Sequence, residues 1–166
     1  MKSTGVVRKI DELGRIVIPK EIRKVLNINS NDDLEIKIEN NGIVLKKYSF
    51  MNSKLRFYND IIDAFSKVFE GKLLITDKEK ILTKEKYENI LINDFLANIL
   101  ISRKEYKSTS LEKLEISNLF LEGYFFIKPI IVDSDAIGLI IYNDSKKIDD
   151  YEEKYILVLY ELLSKI

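Results

Sequence analysis

The stretch DELGRIVIPKEIRKVL, residues 11–26, decides the fold of the first part of this 166-residue chain. Its DELG tetrapeptide predicts a turn, because Gly14 can adopt the positive φ that other residues resist. The β-branched run after the turn predicts a short strand. Pro19 suits the first position of a helix, where its missing N–H would be unpaired anyway. Apolar residues then recur at helical spacing, so we expect a turn, a strand and a basic helix.

The flanking residues extend this pattern to β-β-α-β-β. Residues 6–10 are rich in β-branched side chains and predict a strand before the turn. Residues 34–39 alternate apolar and charged side chains, the period of a half-buried strand. Asn41-Gly42 is a strong hairpin signal, after which the chain returns as a further strand. Fifty residues supply little core for one copy, and a dimer that interleaves two copies would solve that problem.

The charge of the chain is unevenly distributed. The whole sequence carries 27 Lys/Arg and 27 Asp/Glu, yet residues 1–24 carry seven basic side chains against three acidic ones. Such asymmetry points to a polyanionic partner for the basic part. The alternative for each arginine is a surface ion pair with Asp11, Glu12 or Glu21.

The composition excludes several classes of protein. The chain has neither cysteine nor histidine, so the usual zinc sites and the common His- or Cys-based catalytic arrangements are excluded. We find no glycine-rich phosphate loop and no paired-carboxylate motif, and expect no enzyme, cofactor or metal. No apolar run reaches the roughly 20 residues that span a bilayer, and the N-terminus lacks the apolar centre of a signal peptide. We therefore expect a cytoplasmic protein without a membrane partner.

Residues 6–48, VVRKIDELGRIVIPKEIRKVLNINSNDDLEIKIENNGIVLKKY, closely resemble the DNA-binding domain of the AbrB-type transition-state regulators of spore-forming bacteria. The resemblance implies a swapped-hairpin fold, in which two chains interleave into one small β-barrel that binds double-stranded DNA. It also implies a role in regulating sporulation or transition-state genes. The basic residues that it assigns to DNA contact are Arg8, Lys9, Arg15, Arg23 and Lys24.

A leading helix over residues 52–70 is predicted to follow this domain. Its apolar residues recur at spacings of three and four, as in an a/d seam. The seam consists of Leu55, Tyr58, Ile62, Phe65 and Phe69. It either joins helices of different chains or packs on its own domain, and the resemblance favours oligomerisation.

The remaining residues read as strand 72–76, helix 88–102, a long hairpin of strands 122–132 and 136–143, and a helix from about 149. That order is typical of a small α+β sensor domain of GAF or PAS type. The predicted fold class is therefore α+β, with a swapped-hairpin barrel domain at 1–50 and a GAF-like domain at 51–166. We expect the second domain to be regulatory or to form a homotetramer, and leave a small-molecule effector open.

These observations predict a DNA-binding transcription regulator, with two alternatives from other classes. One is an antitoxin-like interaction protein, because antitoxins also use this barrel. Antitoxins of that kind carry a disordered, charged C-terminal tail, whereas this C-terminus is apolar and patterned for folding. The other is a small-molecule sensor whose basic patch is incidental.

Overall fold

The computed structural model describes residues 5–30, 32–49, 51–82, 87 and 90–165. The chain divides into two compact units, Met1–Tyr48 and Ser49–Ile166. Within the described residues, no helix is long and apolar enough to cross a membrane.

A β-hairpin forms the second half of the N-terminal unit. Strand β1, Leu34–Glu39, pairs antiparallel with β2, Gly42–Lys47. The turn consists of Asn40 and Asn41, whose φ angles are 48° and 63°. A type I′ turn requires positive φ at both central residues, and asparagine tolerates that conformation. The hairpin is therefore present, but its turn lies one residue before the predicted Asn41-Gly42 pair.

Helix α1, Lys20–Val25, precedes the hairpin. Pro19 is its N-cap rather than its first helical residue, and the Pro19 carbonyl accepts a hydrogen bond from the amide of Arg23 at 3.0 Å. The helix ends where Asn27 adopts a φ of 53° and the amide of Ile28 donates to the Arg23 carbonyl at 2.8 Å. The left-handed conformation of Asn27 and the hydrogen bond from Ile28 back to Arg23 form a Schellman motif, which stops the helix after about two turns.

The two strands predicted at residues 6–10 and 15–18 do not form a β-ladder in this structure. We call residues 6–10 and 15–18 the arms. They are joined at the turn, where the Asp11 amide donates to the Arg15 carbonyl at 3.0 Å and the Gly14 amide donates to the Asp11 carbonyl at 2.9 Å. A strand needs a neighbour that pairs with its backbone polar groups. In the described part of one chain, the arms find no such neighbour beyond the turn.

The N-terminal unit leaves most of its apolar side chains in solvent. Among its described residues, Ile28 is the one buried hydrophobic side chain. The exposed large hydrophobic side chains include Val6, Val7, Ile10, Leu13, Ile16, Val17, Val25, Leu26, Ile36, Ile38 and Ile43. Apolar exposure on this scale is unusual for a folded unit.

An antiparallel sheet forms the centre of the C-terminal unit. Its strands are β3 Lys72–Thr76, β4 Tyr106–Lys107, β5 Glu112–Ile116, β6 Leu119–Val132 and β7 Asp135–Asp144. They lie in the order β3-β7-β6-β4, with β5 beside β6. The predicted long hairpin is β6 and β7, and the short strands β4 and β5 were not anticipated.

In the described part of this unit, three helices flank the sheet. A 3₁₀ turn, Asn52–Lys54, leads into α2, Leu55–Ser66. The others are α3, Asp94–Ser102, and α4, Asp150–Leu163. Mixed helices and antiparallel strands make the fold α+β, as predicted.

Helix α3 begins later than the sequence pattern predicts. The predicted start, residues 88 and 89, lies outside the described residues, and residues 90–93 are not helical. Instead, the amide of Ile81 donates to the Ile90 carbonyl at 2.8 Å, and Leu91 forms an isolated antiparallel bridge with Lys80. Asn93 then caps the helix by accepting a hydrogen bond from the amide of Leu96 at 3.0 Å. The cap and this backbone pairing together set the start at Asp94.

The centre of the sheet is buried on both faces, and this explains the continuous apolar runs of β3 and β7. On β7, Ile140 and Tyr142 belong to the cluster that contains α2 and α4. Leu139 and Ile141 point to the opposite cluster, which contains α3. Because β3 and β7 must be apolar on two sides, alternation is lost from their sequences, whereas β5 and the start of β6 still alternate buried and exposed side chains.

Helix α2 and the segment after it pack on this sheet through most of the predicted seam. The helix ends at Ser66, before Phe69 and before the predicted end at residue 70. Tyr58 and Phe65 are buried in the core, and Ile62 and Phe69 pack against it. Leu55 lies at the surface. A helix with one side on a sheet has the same spacing of apolar residues as a coiled-coil seam. The four inner residues are therefore used within their own unit, the alternative that the sequence left open.

Candidate nucleic-acid interface

The five basic residues predicted to contact DNA lie on three consecutive segments of the N-terminal unit. Arg8 and Lys9 belong to the arm before the turn, Arg15 stands at the end of the turn, and Arg23 and Lys24 lie in α1. Four of them are exposed, and Arg23 is half-buried. All five residues therefore precede the β1–β2 hairpin in the sequence.

The turn that carries Arg15 is organised by Asp11. One carboxylate oxygen of Asp11 accepts hydrogen bonds from the amides of Leu13, at 3.0 Å, and Arg15, at 2.8 Å. Its other oxygen accepts a hydrogen bond from Nε of Arg15 at 2.8 Å. The pKa of Asp11 is lowered, first by the hydrogen bond from the Arg15 amide and then by the one from its side chain. The carboxylate is therefore ionised at neutral pH.

Helix α1 presents a second pair of basic side chains. Arg23 and Lys24 lie in its last turn, where positive charge is favourable beside the terminal carbonyls. Nε of Arg23 is buried and lacks a hydrogen-bond partner among the described residues. Lys24 is exposed, so its charge is directed to solvent.

Most of these charges are not neutralised by neighbouring acids. Arg15 is paired with Asp11, the ion-pair alternative that the sequence left open. Among the described residues, no ion pair is formed by Arg8, Lys9 or Lys24. Unpaired, solvent-exposed cations are the groups that bind phosphates and release condensed counterions.

A hydrogen-bonded cluster in the C-terminal unit has a structural role that the sequence did not indicate. Oη of Tyr142 lies 3.1 Å from Oδ2 of Asp144 and 2.5 Å from Oε1 of Glu152. Burial, and then the hydrogen bond to Glu152, raise the pKa of Tyr142. Glu152 also belongs to the capping box at the start of α4. The cluster therefore fixes the first turn of α4 on the end of β7.

Helix α4 has a second apolar stripe on its outer side. The stripe consists of Tyr151, Tyr155, Val158 and Leu162, all exposed. The stripe contacts the segment that follows α2, because the rings of Tyr155 and Phe69 lie 5.2 Å apart. We call these four residues the outer stripe of α4.

The comparisons with known proteins first define the class. Residues 7–51 match the family model described as antidote-toxin recognition MazE, bacterial antitoxin. Transition state regulatory protein AbrB of Bacillus subtilis (strain 168) is 44% identical over 91 residues, which cover 55% of this chain and 86% of AbrB. A solution structure of the N-terminal DNA recognition domain of B. subtilis AbrB is 58% identical, covers 30% of this chain and 94% of that one, and has a TM-score of 0.28. The class is that of the AbrB-type transcription regulators.

A second relative matches nearly the full length of both proteins. Stage V sporulation protein T of B. subtilis (strain 168) is 32% identical over 163 residues, which cover 93% of this chain and 92% of the relative. The chain belongs to the family of stage V sporulation protein T.

Proposed function

We propose that this protein is a DNA-binding transcription regulator of sporulation or transition-state genes, acting in the cytoplasm and without catalytic activity. Residues 1–50 are its DNA-binding domain, and Arg8, Lys9, Arg15, Arg23 and Lys24 are its DNA contacts. One observation carries the proposal: the arms and α1 present exposed cations, most of them without an acidic partner. Exposed, unpaired cations of this kind do little for folding and attract a polyanion.

The DNA-binding unit is completed by a second copy of the chain. Among the described residues of one chain its arms have no strand neighbour, and Ile36, Ile38 and Ile43 of the hairpin are exposed. A second chain can supply both the missing backbone partners and the missing apolar cover. Interleaving two copies gives the swapped-hairpin barrel, with the hairpins and arms of both chains sharing one core.

Dimerisation also concentrates the basic charge. Each copy of residues 1–24 carries seven basic and three acidic side chains. Two copies on one barrel bring a net charge of about +8, which favours phosphate contacts and counterion release. Arginine side chains can add the reading of base edges, because the guanidinium fork matches two acceptors on guanine.

Replacing Arg15 with alanine tests the assignment of that residue. Arg15→Ala should weaken DNA binding by about 1–3 kcal/mol if the guanidinium reads a base edge. The fold should survive, because the side chain is 71% exposed. Arg15→Lys is the matched variant, since lysine keeps the charge and loses the fork. Binding titrations with both variants, alongside circular dichroism, measure the effect. Full affinity and sequence preference in Arg15→Lys would reduce Arg15 to a phosphate contact.

The C-terminal unit, expected at residues 51–166, is proposed to join two such dimers into a homotetramer. The association surface that we favour is the outer stripe of α4, bordered by Phe69. This revises the predicted seam, because Tyr58 and Phe65 are already buried in their own core. A second copy of the same stripe is its natural partner, since apolar side chains would cover apolar side chains.

The antitoxin alternative draws on the same N-terminal match, which ends at residue 51. Beyond it, the described residues fold into a sheet and three helices instead of an extended charged tail. A folded domain of this kind is suited to regulation or assembly and gives no flexible segment for wrapping a toxin. The regulator is therefore favoured, and a small-molecule effector of the GAF-like domain stays an open alternative.

A further inference from the structure

Asp11 binds the guanidinium of Arg15 through Nε and does not bind its two terminal Nη groups. The contact is made by Nε, the nitrogen nearest the side-chain stem, at 2.8 Å from the carboxylate. Within the described residues, the two terminal Nη groups have no recorded partner, and the Arg15 side chain is 71% exposed. A guanidinium bound through Nε alone keeps both end nitrogens available to a second pair of acceptors.

The carboxylate itself is fixed by the backbone. Its hydrogen bonds to the amides of Leu13 and Arg15 leave little freedom for the Asp11 side chain to turn away. The backbone bond between the Asp11 amide and the Arg15 carbonyl closes the same loop, and Gly14 supplies the positive φ of 76° that the turn requires. The orientation of Arg15 is thus set by the turn as well as by the ion pair.

A fixed negative charge beside a DNA-facing arginine has opposite effects on two kinds of contact. It repels phosphate oxygens, which carry the same charge, and so weakens binding that depends on phosphates alone. Base edges are neutral, and guanine offers two acceptors to the free end of an arginine. The exposed ion pair adds little to folding stability, so stability does not account for its geometry.

We propose that Asp11 is a positioning residue that aims Arg15 at a base edge and suppresses its use as a phosphate contact. This inference rests on the proposed function, because it needs the N-terminal unit to bind DNA. It assigns selectivity between DNA sequences to an acidic residue that need not touch DNA itself. The segment that carries it is the DELGR run, residues 11–15.

The test uses the full chain with Asp11→Asn and a matched control, Glu12→Gln. Both changes remove one negative charge from adjacent residues of the same turn. Asparagine keeps an oxygen that accepts the two turn amides, so the fold should persist. A duplex is first selected by the wild-type protein from a random library. Affinity is then measured for that duplex and for an unselected duplex of equal length, across a series of salt concentrations.

Asp11→Asn should bind the unselected duplex several-fold more tightly. The ratio of its affinity for the selected duplex to its affinity for the unselected duplex should fall about tenfold. Its salt slope on the unselected duplex should steepen by up to about one per chain, as expected for an added phosphate contact. Glu12→Gln should leave the ratio within about twofold. Placing Asp11→Asn in an Arg15→Ala chain should abolish its effect on the ratio, because Asp11 acts through Arg15.

A second variant keeps the test decisive if Asp11→Asn does not fold. Asp11→Glu retains the charge and moves it one bond further out, so it should lower the ratio without strengthening binding to the unselected duplex. If Asp11→Asn folds and changes the ratio no more than Glu12→Gln, net charge explains the result and the inference is wrong. If Asp11→Glu matches the wild type in both measurements, positioning is likewise excluded. Failure of the wild-type protein to bind any duplex would instead overturn the proposed function, and this inference with it.

Discussion

Raising the salt concentration from 50 to 200 mM is expected to weaken DNA binding by this protein about a thousandfold. Six basic residues per chain lie in the arms, the turn and α1, and a dimer that engages roughly six phosphates should show a slope of about −5 in log affinity against log salt. The effect arises because DNA regains condensed counterions when the protein leaves. Equilibrium titration with a short duplex at four or more salt concentrations measures the slope.

The control for this experiment is the stability of the protein over the same salt range. Thermal unfolding followed by circular dichroism should show a folded protein at each concentration, so that the loss of binding cannot be attributed to unfolding. A slope near zero would contradict the electrostatic interface. It would also leave the exposed cations of the N-terminal unit without a role in binding.

Removing residues 49–166 is expected to divide the assembly without destroying the DNA-binding barrel. The shortened chain should remain a folded dimer, because its shared core takes nothing from the C-terminal unit. It should bind a single short site almost as the full chain does. On long DNA it should bind on the order of a hundredfold more weakly, because linked barrels raise the effective concentration of the second binding event. Sedimentation, and titration with short and long duplexes, measure these effects.

A point variant separates loss of association from loss of the whole unit. Val158 and Leu162 of the outer stripe are exposed, so Val158→Lys with Leu162→Lys should leave the C-terminal core intact and yield a dimer. This variant should match the shortened chain on long DNA. A monomeric shortened chain, or one that binds long DNA as tightly as the full protein, would contradict the two-interface architecture.

The sequence predicts local elements well where local chemistry determines them. The turn at residues 11–14, the basic helix and the second hairpin were all anticipated from spacing and turn residues. The turn of the second hairpin was predicted one residue too late, at Asn41-Gly42, because Asn40 and Asn41 both tolerate the left-handed conformation that the turn requires. Composition could not distinguish these neighbouring registers.

Non-local pairing limits the prediction elsewhere. The arms at 6–10 and 15–18 have strand-forming side chains, yet strands require neighbours that one chain does not provide. Strand β4 was missed because its pairing with β6, Tyr106 with Ile127, joins residues distant in sequence. Strand β5 pairs with the adjacent start of β6, Ile116 with Leu119, so distance does not explain why it was missed. The seam on α2 illustrates the same problem, since spacing identifies an apolar side of a helix but not what covers it.

The candidate site was predictable in its charges but not in its geometry. Clustering and the family motif identified Arg15 and its basic neighbours. The sequence raised Asp11 only as an ion-pair partner, whereas the structure shows one carboxylate bonding two amides and Nε together. Its spacing of four residues before Arg15 was the available signal. The direction in which it holds the guanidinium required coordinates.

The central claim is tested most directly by titrating a short duplex with two full-length variants. Each variant loses four positive charges. In the first variant, alanine replaces Arg8, Arg15, Arg23 and Lys24 of the proposed interface. In the second, alanine replaces four exposed lysines of the C-terminal unit, Lys67, Lys72, Lys104 and Lys147. At 100 mM salt, the first variant should lose binding by at least about a thousandfold, and the second should stay within about threefold of the wild type. Equal losses in the two variants, or a greater loss in the second, would contradict the claim that the N-terminal unit carries DNA binding.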